Sequence, residues 1–356
     1  MPDWTKSMAQ SFEYYIVDPV TWTDSQKIDT AVSCTISRDS TSETLGSASF
    51  DIDSFLGECY IRVYLTTIQN GLSERFPLGT FLVQTPSHDY DSKVLTSSIT
   101  AYTPLIELKE KYHPIGYTVP KGDNVMKHAC ALTKENVRAP VVTTTHDKTL
   151  TYDFTAGNTE TMLSFNSSLI ANAGFHYDLD EMGCIMFAPD QTLDSLQPRV
   201  VFHDGNSSIL YPDVNLSRDF YGIPNVIEVV YSTSSTTYYS KAVNNDPDSP
   251  TSIQNRGRVI MSRVTDPDLS GVATQAIIDE YAQQLLKSAS SITGTVSYSH
   301  GYYPIRVGDC VQLEYRKLKE ISPQLYPIKA RVTSQSISCT TGCPVEETAE
   351  FNIKFL

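Results

Sequence analysis

The strongest constraint in this chain is strict alternation of apolar and polar residues in short runs near both ends. In "ASFDID", Ala48, Phe50 and Ile52 alternate with Ser49, Asp51 and Asp53. "IRVYL" sets Ile61, Val63 and Leu65 against Arg62 and Tyr64, and "CVQLEYR" sets Val311, Leu313 and Tyr315 against Gln312, Glu314 and Arg316. Successive side chains of a strand point to opposite faces, so a period of two marks half-buried β-strands. "LGTFLVQTPSHDYDSKVLTSSITAY" reads as a strand, an exposed turn around Asp89 to Ser92, and a return strand; "IKARVTSQSI" and "EFNIKF" continue the pattern. The 19 Pro, 17 Gly and 21 Tyr agree with many short strands and turns. At ~150 residues per domain, 356 residues suggest two or three domains.

The centre has a different texture. Residues 122–137 read as a short helix capped by Asp123, with Val125, Ala129 and Leu132 at helical spacing. "DFTAGNTETMLSFNSSLIANAGF" offers Thr155 or Asn158 as cap and Met162, Phe165, Leu169 and Ile170 as a buried stripe, closing at Gly174. "FHYDLDEMGCIMFAP" reads as a hairpin turning around Asp180 to Gly183. Residues 244–250 are loop by composition. The clearest helix is 270–289, with Ala273, Ile277, Tyr281 and Leu285 on one face. No fixed-period repeat is visible, yet β segments bracket a mixed centre.

Catalytic templates are missing from the sequence: no H-E-x-x-H, no G-x-S-x-G, no phosphate loop and no G-x-G-x-x-G after a strand. The seven histidines are scattered. Seven cysteines, an odd number, do not make a disulfide scaffold. Cys339 and Cys343 are the one close pair, readable as half of a metal site or as a strand end and its turn. "DLDEMG" begins like a calcium loop, but Met182 stands where an oxygen donor belongs and no Glu follows at the twelfth position. No cofactor and no enzymatic activity are expected. A net charge of −14 disfavours tight nucleic-acid binding, which needs Lys and Arg on phosphates. It is compatible with letting DNA pass without adhering. No apolar run approaches the ~18 residues of a membrane span, so no stable membrane insertion is expected. The N-terminus shows no signal-peptide pattern, which suggests a start in a cytoplasm.

Four stretches together resemble the hub proteins of phage tails and baseplates, similar to the central hub of contractile tails and to the N-terminal hub part of tail-associated lysins. They are "PLGTFLVQTPSHDYDSKVLTSSITAYTPLIEL", then "VPKGDNVMKHAC" with "DFTAGNTETMLSFNSSLIANAGFHYDLDEMGCIMFAP", then "VNLSRDFYGIPNVIEVVYS", then "YYPIRVGDCVQLEY" with "IKARVTSQSISCTTGCPVEETAEF". The resemblance implies a β-rich α+β chain with two tail-tube-like β-barrel domains flanking a mixed α/β middle domain. Residues 1–110 would form the first barrel, and 111–206 plus 241–290 the middle domain. Residues 207–240 plus 291–356 would form a second barrel split in sequence, with Gly222 and Pro224 turning into its first strand at Val226 to Tyr231.

The family forms homotrimers whose six barrels join a sixfold tail tube or distal tail ring to a threefold spike or fibre. The implied partners are a distal tail protein or tail tube, the tape measure protein, a central spike or fibre, and DNA in transit. The implied location is the virion, assembled in the host cytoplasm. The chain ends directly after its last barrel strand, which puts a wall-degrading role in doubt. Interface candidates are Ile61, Val63, Leu65, Ile227, Val229, Tyr231, Tyr302 and Tyr303. The alternatives are a receptor- or carbohydrate-binding tail protein, with Trp4 and Trp22 as aromatic platforms, and a cell-wall hydrolase.

Overall fold

A computed structural model describes residues 2–29, 31–53, 57–91, 94–205, 208–218, 221–233, 236–267, 274–289, 292–321 and 326–353. The N-terminal region is all strand: β1 (Ala9–Val17), β2 (Asp24–Ile28), β3 (Ala31–Asp39), β4 (Gly46–Ile52), β5 (Tyr60–Gln69), β6 (Leu72–Asp91) and β7 (Val94–Tyr102). The expected alternation holds in β4, where Ala48, Phe50 and Ile52 are buried. It fails in β5, where Arg62 and Tyr64 are buried as well as Ile61, Val63 and Leu65. Something therefore covers both faces of that strand.

The mixed centre follows: α1 (Ile106–Lys109), β8 (Thr118–Val119), α2 (Val125–Asn136), β9 (Phe154–Thr155), α3 (Met162–Ala171), β10 (Phe175–Leu179) and β11 (Ile185–Pro189). Leu105, Val125, Ala129, Phe165, Leu169 and Ile185 share its core. β10 and β11 form the expected hairpin, pairing Phe175 with Pro189 through Leu179 with Ile185. Both expected caps are displaced. Asn124 rather than Asp123 caps α2, its Oδ1 accepting from the Lys127 amide at 2.9 Å. Thr161, rather than Thr155 or Asn158, caps α3 and accepts from the Ser164 amide at 3.2 Å. In each case the cap sits three residues before the amide it satisfies.

Beyond it lie β12 (Val200–His203), β13 (Leu210–Arg218), β14 (Val226–Ser232), β15 (Thr237–Val243), α4 (Ile253–Arg256), β16 (Met261–Thr265) and α5 (Gln275–Ala289). The chain closes with β17 (Ile292–Gly301), β18 (Cys310–Glu314), α6 (Arg316–Ile321), β19 (Ile328–Ser338) and β20 (Pro344–Ile353).

Two expectations are corrected here. Val226 to Tyr231 do not open a barrel: β14 pairs with β15 and β16 in a separate three-stranded sheet. Nor does the helix join the core of residues 105–187, because α5 packs Ile278, Ala282 and Leu286 on Ile227, Val229 and Ala242. Its buried stripe is shifted by one residue from the expected one. Ile277 faces outward at 36% exposure, Tyr281 and Leu285 flank the stripe, and Ala273 lies outside the described residues.

The two β regions are continuous. Among the described residues thirteen strands form one sheet whose main path runs β13-β17-β20-β19-β3-β4-β7-β6-β5-β1-β2, with β18 beside β19 and β12 beside β18. The join is an antiparallel ladder from Ser334↔Asp39 to Ser338↔Thr35. The core of the N-terminal half accordingly includes Tyr302, Ile337, Cys343 and Val345 from the other half.

Within this sheet the topology is duplicated. The N-terminal half runs β3-β4-β7-β6-β5 and the C-terminal half runs β13-β17-β20-β19-β18, all neighbours antiparallel. In each set of five strands the spatial order is first, second, fifth, fourth, third. The irregularities coincide too. β6 and β7 shift register between Val83 and Thr85, as β19 and β20 do between Val332 and Ser334. Beside each bulge one amide reaches the residue before the third strand, Val83 to the Cys59 carbonyl and Val332 to the Asp309 carbonyl, both at 2.9 Å. Aligning the registers places Ser37-Arg38 opposite Ser47-Gly46 as Ser217-Arg218 lie opposite Thr295-Gly294. Bulges bend a strand and aim its two ends differently, so this one marks where β19 leaves β18 and meets β3.

Replacing Asn124 by Ala should cost about 1 kcal/mol of stability, whereas Asp123→Ala should stay within about 0.5 kcal/mol. Urea unfolding of both variants separates the two capping assignments.

Candidate assembly face and its internal clamp

The polar face of the large sheet follows from the alternation. Thr35, Ser37, Ser49, Asn215, Ser297 and Glu346 are exposed, while Cys34, Ile36, Phe50, Val296 and Val345 between them are buried. Where β13, β17, β20, β19 and β3 lie side by side, this face forms an open trough of about 540 Å³ lined by Ser37, Asp213, Asn215, Ser297, Ser336 and Glu346 among others. Its lining includes three acids and no Lys or Arg. The face continues across β4 and β7 to Asp51, whose carboxylate accepts from the hydroxyls of Ser33 at 2.7 Å and Ser98 at 2.8 Å. Those two bonds favour the charged form and hold Asp51 below the usual carboxylate range. The sheet thus presents a broad surface of hydroxyls and anions.

The same face, followed across β7 and β6, explains why β5 is buried twice. The β10–β11 turn inserts against it. The Met182 carbonyl accepts from the Trp22 indole N–H at 2.8 Å and from Arg62 Nη2 at 3.1 Å. Arg62, 1% exposed, also donates to Asp24 Oδ1 at 2.8 Å and to Thr80 Oγ1 at 2.9 Å. A buried guanidinium is tolerable when its donors are matched in this way. Glu181, one residue back, lies 3.0 Å from Arg306 Nε and 3.6 Å from Arg38 Nη1. Arg306 Nη2 also donates to the Leu179 carbonyl. One hairpin turn is therefore held by arginines from both halves of the sheet. Gly183 makes the approach possible: its φ is +79°, and a Cβ there would stand 2.8 Å from Thr80 Cβ. The "DLDEMG" stretch is a docking turn.

Arg38 extends the clamp into the C-terminal core. It donates to Gln335 Oε1 at 3.0 Å, Gln335 Nε2 donates to Glu347 Oε1 at 2.5 Å, and the Tyr298 hydroxyl donates to Glu347 Oε2 at 2.5 Å. His300 Nε2 lies 3.4 Å from that second oxygen. The cluster has the residue types of an acid–base site, but Tyr298, His300, Gln335 and Glu347 are all buried. Burial and the adjacent Glu347 raise the Tyr298 hydroxyl well above its ordinary value. The register-equivalent positions of the N-terminal half carry Phe50, Ile52 and Ile99. The polar chain occupies core positions.

The interface candidates sit mainly inside the chain. Ile61, Val63, Leu65, Ile227, Val229 and Tyr302 are buried, and Tyr231 and Tyr303 are half-buried. The structure does not bring the eight together: the first three belong to the N-terminal core and Ile227, Val229 and Tyr231 to the α5 unit. Tyr302 packs edge-on against Trp4 at 5.1 Å, so it ties one half of the sheet to the other. Sequence reasoning placed Arg62 on an exposed face and left Arg38 and Arg306 unassigned. Trp4 is buried and Trp22 is bound to the docking turn, so neither is a free aromatic platform. Cys339 and Cys343 are buried free thiols in the same core as Cys34. Hydrogen bonding with Cys34 and burial push Cys339 up, and burial pushes Cys343 up, so both stay protonated. Among the described residues no group of three His, Cys, Asp or Glu could hold a metal. No helix among them is long and apolar enough to cross a membrane.

No family model and no curated protein matches the sequence. Solved structures do match. A tail protein from Neisseria meningitidis MC58 is similar over 96% of each chain, with a TM-score of 0.64 at 13% identity. The chain has the fold of phage tail proteins. The 43 kDa tail protein of prophage MuSo2 from Shewanella oneidensis matches 95% of this chain and 97% of its own, with a TM-score of 0.61 at 11% identity. Prophage tail protein gp18 from Listeria monocytogenes EGD-e matches 95% and 94%, with a TM-score of 0.52 at 13% identity.

Substituting Arg62 by Met should cost about 3–5 kcal/mol, because Asp24 and the Met182 carbonyl lose a buried partner. Arg62→Lys should recover little of it, since an ammonium cannot reach that fork of acceptors. Thermal unfolding of the two variants reads both. Asp51, with its lowered folded value, contributes stability that is present above about pH 4 and lost as pH falls through that folded value. Removing both its donors (Ser33→Ala with Ser98→Ala) should lessen the loss of stability as pH falls below about 4, as measured by denaturant unfolding at a series of acid pH values.

Proposed function

We propose that this chain is the structural hub of a phage tail tip or baseplate, a homotrimer joining a sixfold tail tube or distal tail ring to a threefold spike or fibre. The observation that carries this reading is the duplication. One chain holds two five-stranded units of the same strand order, so three chains supply six equivalent units on a threefold axis. Such an object matches sixfold symmetry on one side and threefold on the other. The tail proteins that share the fold support the setting.

The acidic hydroxyl-rich face is the wall of the DNA channel in this reading. Asp51, Asp213 and Glu346 repel phosphate, and serines and threonines give no fixed positive charge for it to grip. The distal tail protein, the tape measure protein and the central spike or fibre are the remaining partners. The location is the virion after assembly in the host cytoplasm. The clamp at Arg62 keeps the central α/β region from shifting while DNA moves past.

Native mass measurement of the purified chain, alone and with its tail partners, should give three chains per particle; a persistent single chain under both conditions refutes the hub. Wild-type protein should not be retained on immobilised double-stranded DNA at about 50 mM salt. The variant Asp51→Lys, Asp213→Lys, Glu346→Lys should be retained there and released as salt rises toward about 200 mM.

A further inference from the structure

Among the described strands of the two five-stranded units, the far part of β6 and the outer edge of β13 are left unpaired, and their counterparts pair with each other inside the chain. β19 pairs with β18 from Ile328 to Arg331, passes its bulge, and pairs with β3 from Ser334 to Ser338. Its counterpart β6 pairs with β5 as far as Leu82 and passes the equivalent bulge. Beyond it, Thr85 to Asp91 pair with β7 on one side, and among the described residues no strand pairs on the other. The counterpart of β3 is β13, which pairs with β17 alone among the described strands. Unpaired edges present rows of N–H and C=O groups that template another strand. Pro86, a residue without an N–H, stands in the β6 edge, a position where sheets tolerate it.

Among the described strands these two edges do not pair with each other within the chain. Seven strand intervals separate β13 from β6 along the sheet. A second copy can bring them together. We infer that the β6 edge from Thr85 to Asp89 of one copy pairs antiparallel with the β13 edge of the next copy, repeating between chains the ladder that β19 and β3 make within one.

The register is fixed by the alignment of the two bulges. Ser336↔Ser37 becomes Ser87 opposite Ser217 of the next copy, and Ser338↔Thr35 becomes Asp89 opposite Asn215. Pairing of this kind is head-to-tail, so each chain uses one edge of each type, and the contact generates a ring if the rotation closes. Closure at three copies rests on the hub reading above; the pairing itself rests on the strand registers.

The test is a cysteine pair in the full chain, Ser87→Cys with Ser217→Cys, oxidised mildly and run on a non-reducing gel beside a native mass measurement. The inferred register sets these backbones within disulfide reach. The double variant should give a covalent ladder ending at three chains. Wild type, each single variant and the out-of-register pair Ser87→Cys with Asn215→Cys should run as one chain. A three-chain native mass with no covalent ladder overturns the β6–β13 pairing and leaves the trimeric hub standing. A ladder continuing past three chains supports the pairing and overturns the closed trimer. A single-chain mass with no ladder overturns both.

Discussion

The antiparallel ladder between Thr35–Asp39 and Ser334–Ser338 is the interaction on which the rest of the structure depends. It converts two β regions, separated in sequence by the whole centre of the chain, into one sheet with one polar face. Because the ladder is backbone to backbone, it constrains register and direction more than side-chain identity. Side chains then lock it from the buried side. Tyr302, Cys343 and Val345 enter the N-terminal core, and Arg38 bonds to Gln335 directly across the ladder.

The docking turn sets the third body against that sheet. Its affinity for the site lies in backbone carbonyls and one carboxylate, met by Arg62, Trp22 and Arg306. Planar guanidinium groups suit this task because several donors converge at fixed angles. The cost of burying Arg62 is offset by four acceptors, of which the turn supplies the Met182 carbonyl. The α5 unit, by contrast, is a self-contained insertion with its own small core, placed between the first and second strands of the C-terminal repeat.

That insertion explains what the sequence could and could not convey. The strands were legible at Phe50, Ile61 and Val311 because period-two alternation is local, and the β10–β11 hairpin was legible because its turn residues are adjacent. The duplication was not. Residues 226–289 interrupt the second copy, so no fixed period survives, and at the aligned positions the two copies share only scattered small or polar residues, such as Ser37-Arg38 with Ser217-Arg218, Gly46 with Gly294, Ser49 with Ser297 and Ala101 with Ala349. Arg62 was assigned to solvent because alternation gives the face of a strand but not what covers it, and its acceptor Met182 lies 120 positions away. The interface candidates failed to come together for the same reason: long apolar side chains on regular strands mark a chain's own core first. The face proposed as the channel wall is instead made of Ser, Thr, Asp and Glu, which carry no hydrophobic signal.

The proposed channel depends on which way the polar face of the sheet turns in the proposed ring. An electron cryomicroscopy reconstruction of this chain assembled on a phage tail tube, as the proposed hub requires, measures it directly. The account predicts a ring of six β units whose faces bearing Asp51, Ser297 and Glu346 line a continuous central lumen. A ring in which that face points to the outside, or is buried against a neighbouring protein, would contradict it.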